Sequence, residues 1–365
     1  MTTRADSRCA KRLSRCVVLG ALLAAAPRPS AGDEPTAPAP KWYERLEFHG
    51  LVDTYFSANL NQAQSLPNAL RLFDAQNGFQ VGFAKLSASV NPAPVGFRLD
   101  VGLGNTAGVL SGVSAATASV GDTTIEQGFV SVKAPGEVIL DAGRFVTNAG
   151  AEVIEAKDNW LYSRSILFNF AIPFTHVGVR ASIPVKKVDG LSVIAALFNG
   201  WDNPPEKVGS KKAGTLALSY AGPSSTTIAV NAIYGYVNQD AADARILIDA
   251  VLGRAFGPLS LNVNGDWAKQ GGQQYEGVSL MGRYALVDDH LRVSARGEVF
   301  RDRDGLALGV TGADYYEATL GVSVPLWTTA EFRVEGRWDH SSPKTFQGGT
   351  SGDQTTIQAA ALAWF

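Results

Sequence analysis

Cysteine, methionine and long apolar runs are scarce in this chain of 365 residues. The two cysteines, Cys9 and Cys16, both lie near the N-terminus, so the rest of the chain can form neither a disulfide framework nor a cysteine metal site. Beyond residue 32 no apolar run reaches the about 18 residues that a membrane-spanning helix needs. The sequence therefore excludes a helical membrane protein and a disulfide-stabilised scaffold.

Residues 1–32 have the layout of a secretory signal peptide. A basic head is followed by a ten-residue apolar stretch at 17–26, which is too short to span a bilayer. Small residues, Ser30 and Gly32, then predict cleavage near residue 33. The proline-rich residues 33–45 are expected to form a flexible periplasmic tail before a single folded unit over 46–365.

The mature chain is mildly acidic. Cleavage removes six of 32 basic and one of 34 acidic residues, which leaves a formal charge of −7. Because binding to phosphate backbones requires a basic surface, nucleic acid is not expected as a partner.

Alternation of apolar and polar residues with a period of two dominates the chain from residue 46 onward. This period is typical of β-strands with two different faces. In residues 330–339 one face carries only apolar or small side chains and the other only charged ones: Ala330, Phe332, Val334, Gly336 and Trp338 against Glu331, Arg333, Glu335, Arg337 and Asp339. Residues 95–103, 259–267 and 291–300 repeat the pattern.

Two structures fit such strands, a soluble β-sandwich and a transmembrane β-barrel. The segments are about ten to thirteen residues long, and a tilted membrane-crossing strand needs about 9–11. We count sixteen segments, and short turns alternate with long loops between them, as in bacterial outer-membrane barrels. The sequence therefore predicts an all-β fold, a closed antiparallel barrel of about 16 strands in the bacterial outer membrane.

The chain ends in an amphipathic segment that closes with Trp364 and Phe365. A terminal aromatic residue of this kind resembles the signal by which outer-membrane barrels are recognised for assembly. We expect these two residues to engage the barrel assembly machinery, and the last strand to pair with the first.

The longest connection, residues 146–173, is the third external loop. It combines an acidic stretch, Glu152, Glu155 and Asp158, with an apolar stretch, Ile166, Leu167, Phe168 and Phe170. We expect this loop to fold into the lumen, which is wide enough in a barrel of this size, although a loop that caps the outer mouth is the alternative. In the constriction hypothesis its carboxylates face basic residues on the inner wall across the pore: Arg98, Arg180, Arg292, Arg296, Arg333 and Arg337.

Three stretches resemble a known family. PVGFRLDVG (94–102), TTIEQGFVSVKAPG (123–136) and especially residues 141–180 are similar to the OmpL-like putative β-barrel porin-2 family, and FNGWD (198–202) looks like its next landmark. The resemblance is strong over about residues 43–205 and weaker beyond. It implies an outer-membrane porin with about sixteen strands, and it fixes no substrate.

The sequence contains two patterns that could suggest catalysis or cofactor binding, and neither predicts such a site. Residues 102–107 match a G-x-G-x-x-A dinucleotide pattern, but the Ser/Ala/Gly-rich sequence that follows has no helix signal to place a helix N-terminus at a phosphate. The four histidines form no recognisable arrangement with a nucleophilic serine. We therefore expect no enzyme, no cofactor and no metal site.

The sequence predicts a porin that lets small hydrophilic solutes and ions diffuse through a charged aqueous lumen. A barrel that only displays surface loops for adhesion and a substrate-specific channel remain as alternatives. Outer-membrane lipid and lipopolysaccharide are expected partners, and the oligomeric state stays open between a monomer and a homotrimer.

Overall fold

Sixteen antiparallel strands form one closed barrel in the computed structural model, which describes residues 41–61, 65–202, 209–287 and 290–365. The predicted signal peptide and most of the predicted tail lie outside these residues. Each strand pairs with its neighbours in the chain, and β16 pairs with β1 to close the barrel. The strands are β1 (Leu46–Asn59), β2 (Gly78–Val90), β3 (Val95–Leu103), β4 (Thr123–Ala134), β5 (Val138–Val146), β6 (Thr175–Pro184), β7 (Leu191–Phe198), β8 (Ala213–Gly222), β9 (Thr226–Gly235), β10 (Arg245–Phe256), β11 (Leu259–Gln270), β12 (Gln273–Val287), β13 (Leu291–Asp304), β14 (Thr311–Trp327), β15 (Ala330–Ser341) and β16 (Asp353–Trp364).

The predicted fold class and the strand count are confirmed, and the four segments given above, at 95, 259, 291 and 330, begin where β3, β11, β13 and β15 begin. The alternating pattern explains this agreement, since a shift by one residue would exchange the two faces of a strand. In β15 the charged residues face the barrel interior and are buried, whereas Phe332, Val334 and Trp338 point outward and are exposed.

The seam between the last and the first strand extends to the final residue. Trp364 lies opposite Leu51 in the ladder, and the backbone N–H of Phe365 donates to the carbonyl of Gly50. Gly50 donates in return to the carbonyl of Phe365. The closed ladder leaves no sheet edge unpaired at this seam.

The wall of the barrel is uneven in height. Strands β12, β13 and β14 have 15, 14 and 17 residues, but β5 and β7 have only nine and eight. At the long-loop end of the tall side, charged side chains point outward and pair with each other across strands, as in Arg301–Glu276 and Arg303–Asp314.

Two short elements differ from the sequence-based expectations. Residues 105–110 form a helix, α1 (Asn105–Leu110), so the expectation that no helix follows the G-x-G-x-x-A pattern was wrong. Five of its six residues are buried, and this packing outweighs the weak helix propensity of Asn, Thr and Gly. At the end of the predicted tail, Trp42–Arg45 forms a 3-10 turn, and Arg45 donates to the carbonyls of Asn91 and Ala93.

Within the described ranges, no helix combines the length and the apolar character required to cross a membrane.

Candidate functional site

Residues 147–174, called loop 3 below, run inside the barrel between β5 and β6. The loop reaches the inner wall of β11 early, where the backbone N–H of Ala151 donates to Asn264 Oδ1 at 3.2 Å. Further along, the hydroxyl of Tyr162 donates to Asp53 Oδ1 on β1 at 2.9 Å. Loop 3 therefore folds inward and crosses the lumen, as predicted.

Two carboxylates of the wall hold the backbone of loop 3. Glu298 on β13 accepts hydrogen bonds from the N–H groups of Ile166 and Leu167 at 2.6 and 2.7 Å. Glu335 on β15 accepts from the N–H groups of Tyr162 and Ser163 at 2.7 and 2.9 Å. In each case the two oxygens of one carboxyl group accept two successive N–H groups, so Glu298 and Glu335 form a pair of clamps on the loop.

Three wall arginines hold the carbonyl groups of the same loop. Arg296 Nη1 donates to the carbonyl of Ser163 at 2.8 Å, and Arg337 Nη1 donates to that of Arg164 at 2.6 Å. Arg333 Nη1 donates to the carbonyl oxygens of Ala156 and Leu161. The hypothesis had placed Arg296, Arg333 and Arg337 across an aqueous gap from loop 3; the structure places them in direct contact with it.

The acidic residues of loop 3 have three different environments. Glu152 is buried, pairs with Arg296 at 2.8 Å and accepts the N–H of Ser165. Glu155 pairs with Lys85 on β2. Burial raises the pKa of Glu155, but the Lys85 ammonium outweighs burial and holds this pKa below its ordinary value. Asp158 is exposed and pairs with its neighbour Lys157 at 2.7 Å.

Lys85 is a wall residue that the sequence analysis missed. It contacts Glu126 on β4 at 2.8 Å as well as Glu155, so it links the loop to two strands. Lys85 lies two residues before Ser87 on the same polar face of β2, and this alternation is the sequence signal that marks it as a wall residue.

The apolar part of loop 3 packs tightly against the wall. Ile166, Leu167 and Phe168 are buried, and residues Leu167–Ala171 form a π-helical turn. A glycine on the wall makes room for this turn, since a Cβ at Gly277 on β12 would lie 2.6 Å from Leu167 Cδ2. In the same way, a Cβ at Gly321 on β14 would lie 2.6 Å from Leu161 Cδ2.

The first external loop also folds inward, which the sequence analysis did not anticipate. Phe73 in this loop packs against Phe168 and Phe174, with ring centroids 5.7 and 5.0 Å apart. Its neighbours Arg71 and Asp74 form a buried ion pair at 2.6 Å, and Asp74 also accepts from Gln358 of β16. The long-loop half of the lumen is thus narrowed by two loops that pack on each other.

The remaining predicted residues, Arg98, Arg180 and Arg292, lie in the short-turn half of the lumen. Arg98 on β3 pairs with Asp100 at 2.8 Å, and Arg180 on β6 pairs with Asp141 at 2.8 Å. Arg292 on β13 pairs with Glu331 on β15 at 3.3 Å. Each of these arginines therefore has an acidic partner on the wall. In the described residues, histidine, cysteine, aspartate and glutamate form no group of three that could hold a metal ion.

Comparison with known proteins identifies one family and one fold. The model of the family described as "Putative beta-barrel porin-2, OmpL-like" matches residues 45–365. The anion-selective porin from Comamonas acidovorans is 14% identical with a TM-score of 0.59, over 88% of this chain and 99% of that one. Salmonella typhi OmpF in complex with daunomycin is 10% identical with a TM-score of 0.61, over 88% and 97%. The trimer form of Vibrio cholerae OmpT is 10% identical with a TM-score of 0.54, over 88% and 99%. A comparison with curated protein sequences gives no match.

Proposed function

The chain belongs to the OmpL-like β-barrel porin-2 family, and from this premise we propose that it conducts small hydrophilic solutes and ions by passive diffusion across the bacterial outer membrane. The observation that carries the proposal is the distribution of its side chains. The outer face is apolar, and the inner face carries ion pairs around a loop-narrowed lumen. Such a lumen favours water over lipid, and passive diffusion through it requires no catalytic group.

We further propose that loop 3 forms the constriction. The clamps at Glu298 and Glu335 keep the loop at a fixed position, so the aperture has a constant size. Of the nine charged residues assigned to the constriction, Glu152, Arg296, Arg333 and Arg337 would hold the loop in place. Glu155, Asp158, Arg98, Arg180 and Arg292 would present charge to solutes.

Planar-bilayer recording tests the proposed function. The purified, detergent-folded barrel should form channels with a conductance of nanosiemens order in KCl. A matched experiment with liposomes should show swelling in small sugars, with rates that fall as the sugar becomes larger. An electrically silent barrel would instead support the alternative of a protein that only displays its surface loops.

The unequal height of the barrel wall supports a further proposal, that the protein assembles as a homotrimer. The low strands β5 and β7 expose only apolar or small side chains outward over most of their length, such as Leu140, Val193 and Leu197, whereas outward ion pairs occur on the tall side. We propose that two further copies cover the low side, while lipid and lipopolysaccharide contact the tall side. Light scattering of the detergent-solubilised protein should give three chains per particle; a single chain would contradict this proposal.

A further inference from the structure

Ion pairs on the inner wall differ in how much their two partners are exposed to the lumen. The side chain of Arg98 is 29% exposed and that of its partner Asp100 is 0% exposed. The same order holds for Arg180 and Asp141, at 14% and 5%. In both of these pairs the base lies nearer to the water than the acid.

Hydrogen bonds from the wall explain why the carboxylates stay covered. Asp100 also accepts from Gln127 Nε2 at 2.7 Å, and Asp141 accepts from the hydroxyl of Ser131 at 2.6 Å. Both donors are wall residues of β4, so each carboxylate is bound close to the sheet. The guanidinium of Arg180 packs over the ring of Phe145 with 4.6 Å to the centroid, which fixes it on the lumen side of its partner.

A third pair extends this arrangement to the opposite part of the wall. Arg292 on β13 is 16% exposed, and its partner Glu331 on β15 is 6% exposed. Glu331 is held at the wall by Arg333, whose Nε donates to it at 2.6 Å. Arg98, Arg180 and Arg292 together are called the basic ring below, because they lie on β3, β6 and β13 in the short-turn, periplasmic half of the barrel.

We propose that the pore prefers small anions over cations, an inference that rests on the proposed function as a water-filled channel. A permeating ion approaches the exposed guanidinium groups of the basic ring more closely than the covered carboxylates behind them. Coulomb energy falls with distance, so the nearer charge outweighs the farther one for an ion in the lumen. The paired charges then act as dipoles with their positive ends toward the water.

Two pairs on loop 3 have the opposite order of exposure. Asp158 is 42% exposed against 29% for Lys157, and Glu155 is 16% exposed against 6% for Lys85, so the basic ring has to outweigh these pairs for anions to be preferred. Asp249 and Asp266 on β10 and β11 are buried, at 0% and 4% exposure. Mobile ions screen charges at the water boundary over a Debye length of about 10 Å at about 0.1 M and about 3 Å at about 1 M, so the preference should be larger at low salt.

The reversal potential under a KCl gradient, with the more concentrated side at about 0.1 M, tests the proposal, because exposed charges are screened less there. The unmodified protein should show a chloride-to-potassium permeability ratio of about three, as expected for a few exposed charges in water. The triple variant Arg98→Gln, Arg180→Gln and Arg292→Gln should lower this ratio to about one or below. Because a triple variant can fold poorly, the single variant Arg98→Gln removes the most exposed charge of the ring and should give a smaller shift in the same direction.

The matched control is Arg303→Gln, which removes the same charge from an exposed arginine that points away from the lumen. Its ratio should equal that of the unmodified protein. A conducting pore that prefers potassium, or a ratio unchanged in Arg98→Gln and the triple variant, overturns the anion preference and leaves the porin function standing. A barrel that conducts no current overturns the porin function itself.

Discussion

Loop 3 should become mobile when its two carboxylate clamps are removed. The perturbation is Glu298→Gln combined with Glu335→Gln, which keeps the size of both side chains and replaces one acceptor oxygen of each by an amide group. Each carboxylate accepts two backbone N–H groups, at 2.6–2.9 Å. A glutamine has one acceptor oxygen, and its amide group faces the second N–H as another donor. Each substitution therefore leaves one buried N–H without an acceptor.

The magnitude follows from these hydrogen bonds. Losing one of these hydrogen bonds and leaving its buried donor unsatisfied costs about 1–3 kcal/mol for each clamp. Because about 1.4 kcal/mol corresponds to a factor of ten, either single variant should raise the detached fraction of the loop about fivefold or more, and the double variant much further. The barrel itself should fold, because its strand ladder does not include these side chains.

Chemical labelling and single-channel recording would measure this change. The predicted mature chain lacks cysteine, so Asp158→Cys introduces a single thiol at the exposed edge of loop 3. In the double variant, conductance and open-channel noise should rise, and the reaction of this thiol with a charged thiol reagent should accelerate. Glu276→Gln is the control, because this carboxylate is exposed on the outside of β12. Unchanged noise and labelling in the double variant would refute the clamp model.

Three further predictions concern stability and assembly. Arg296→Met removes the guanidinium that the buried carboxylates of Glu152 and Glu317 contact at 2.8 and 2.9 Å, so the free energy of unfolding in urea should fall by about 3–5 kcal/mol. Burial raises the pKa of Asp202 to about 6; since the folded state then holds the proton more tightly than the unfolded one, stability should fall as the pH rises from about 4 to 6. In Asp202→Asn this dependence on pH should disappear from the thermal unfolding temperature, and a retained dependence would assign it to another group. Deleting Phe365 should lower the fraction of heat-modifiable, folded barrel in cells, because it shortens the closing strand and its terminal aromatic signal; an unchanged fraction would argue against both roles.

The strands were predictable because the alternation of apolar and polar residues that defines each strand lies within one short stretch of the chain. Residues 330–339 show both faces of β15 in ten positions. The outer face contacts lipid and is apolar, whereas the inner face lines the lumen and is charged. The inward course of loop 3 could be predicted from its length and apolar stretch. These features are visible in the sequence without knowledge of any partner.

The contacts that hold loop 3 against the wall could not be predicted from such local patterns. Its strongest contacts join side chains to backbone N–H and carbonyl groups, which every residue carries and which leave no sequence signal. Arg333 and Arg337 were correctly placed on the inner face, but nothing in their spacing showed that their partners are loop carbonyls. The inward fold of the first loop was missed for a different reason: the apolar stretch at residues 69–73 contains Arg71 and is followed by Asp74, and such charges are typical of an exposed loop.

The two carboxylates that grip loop 3 come from β13 and β15, more than 130 positions further along the chain than the loop backbone they hold. During biogenesis the loop is made before these two anchors, and the partners already made are Asp53 on β1, Lys85 on β2 and Phe73 of the first loop. The fixed position of the loop, and with it the size of the aperture, therefore depends on strands that join the barrel last.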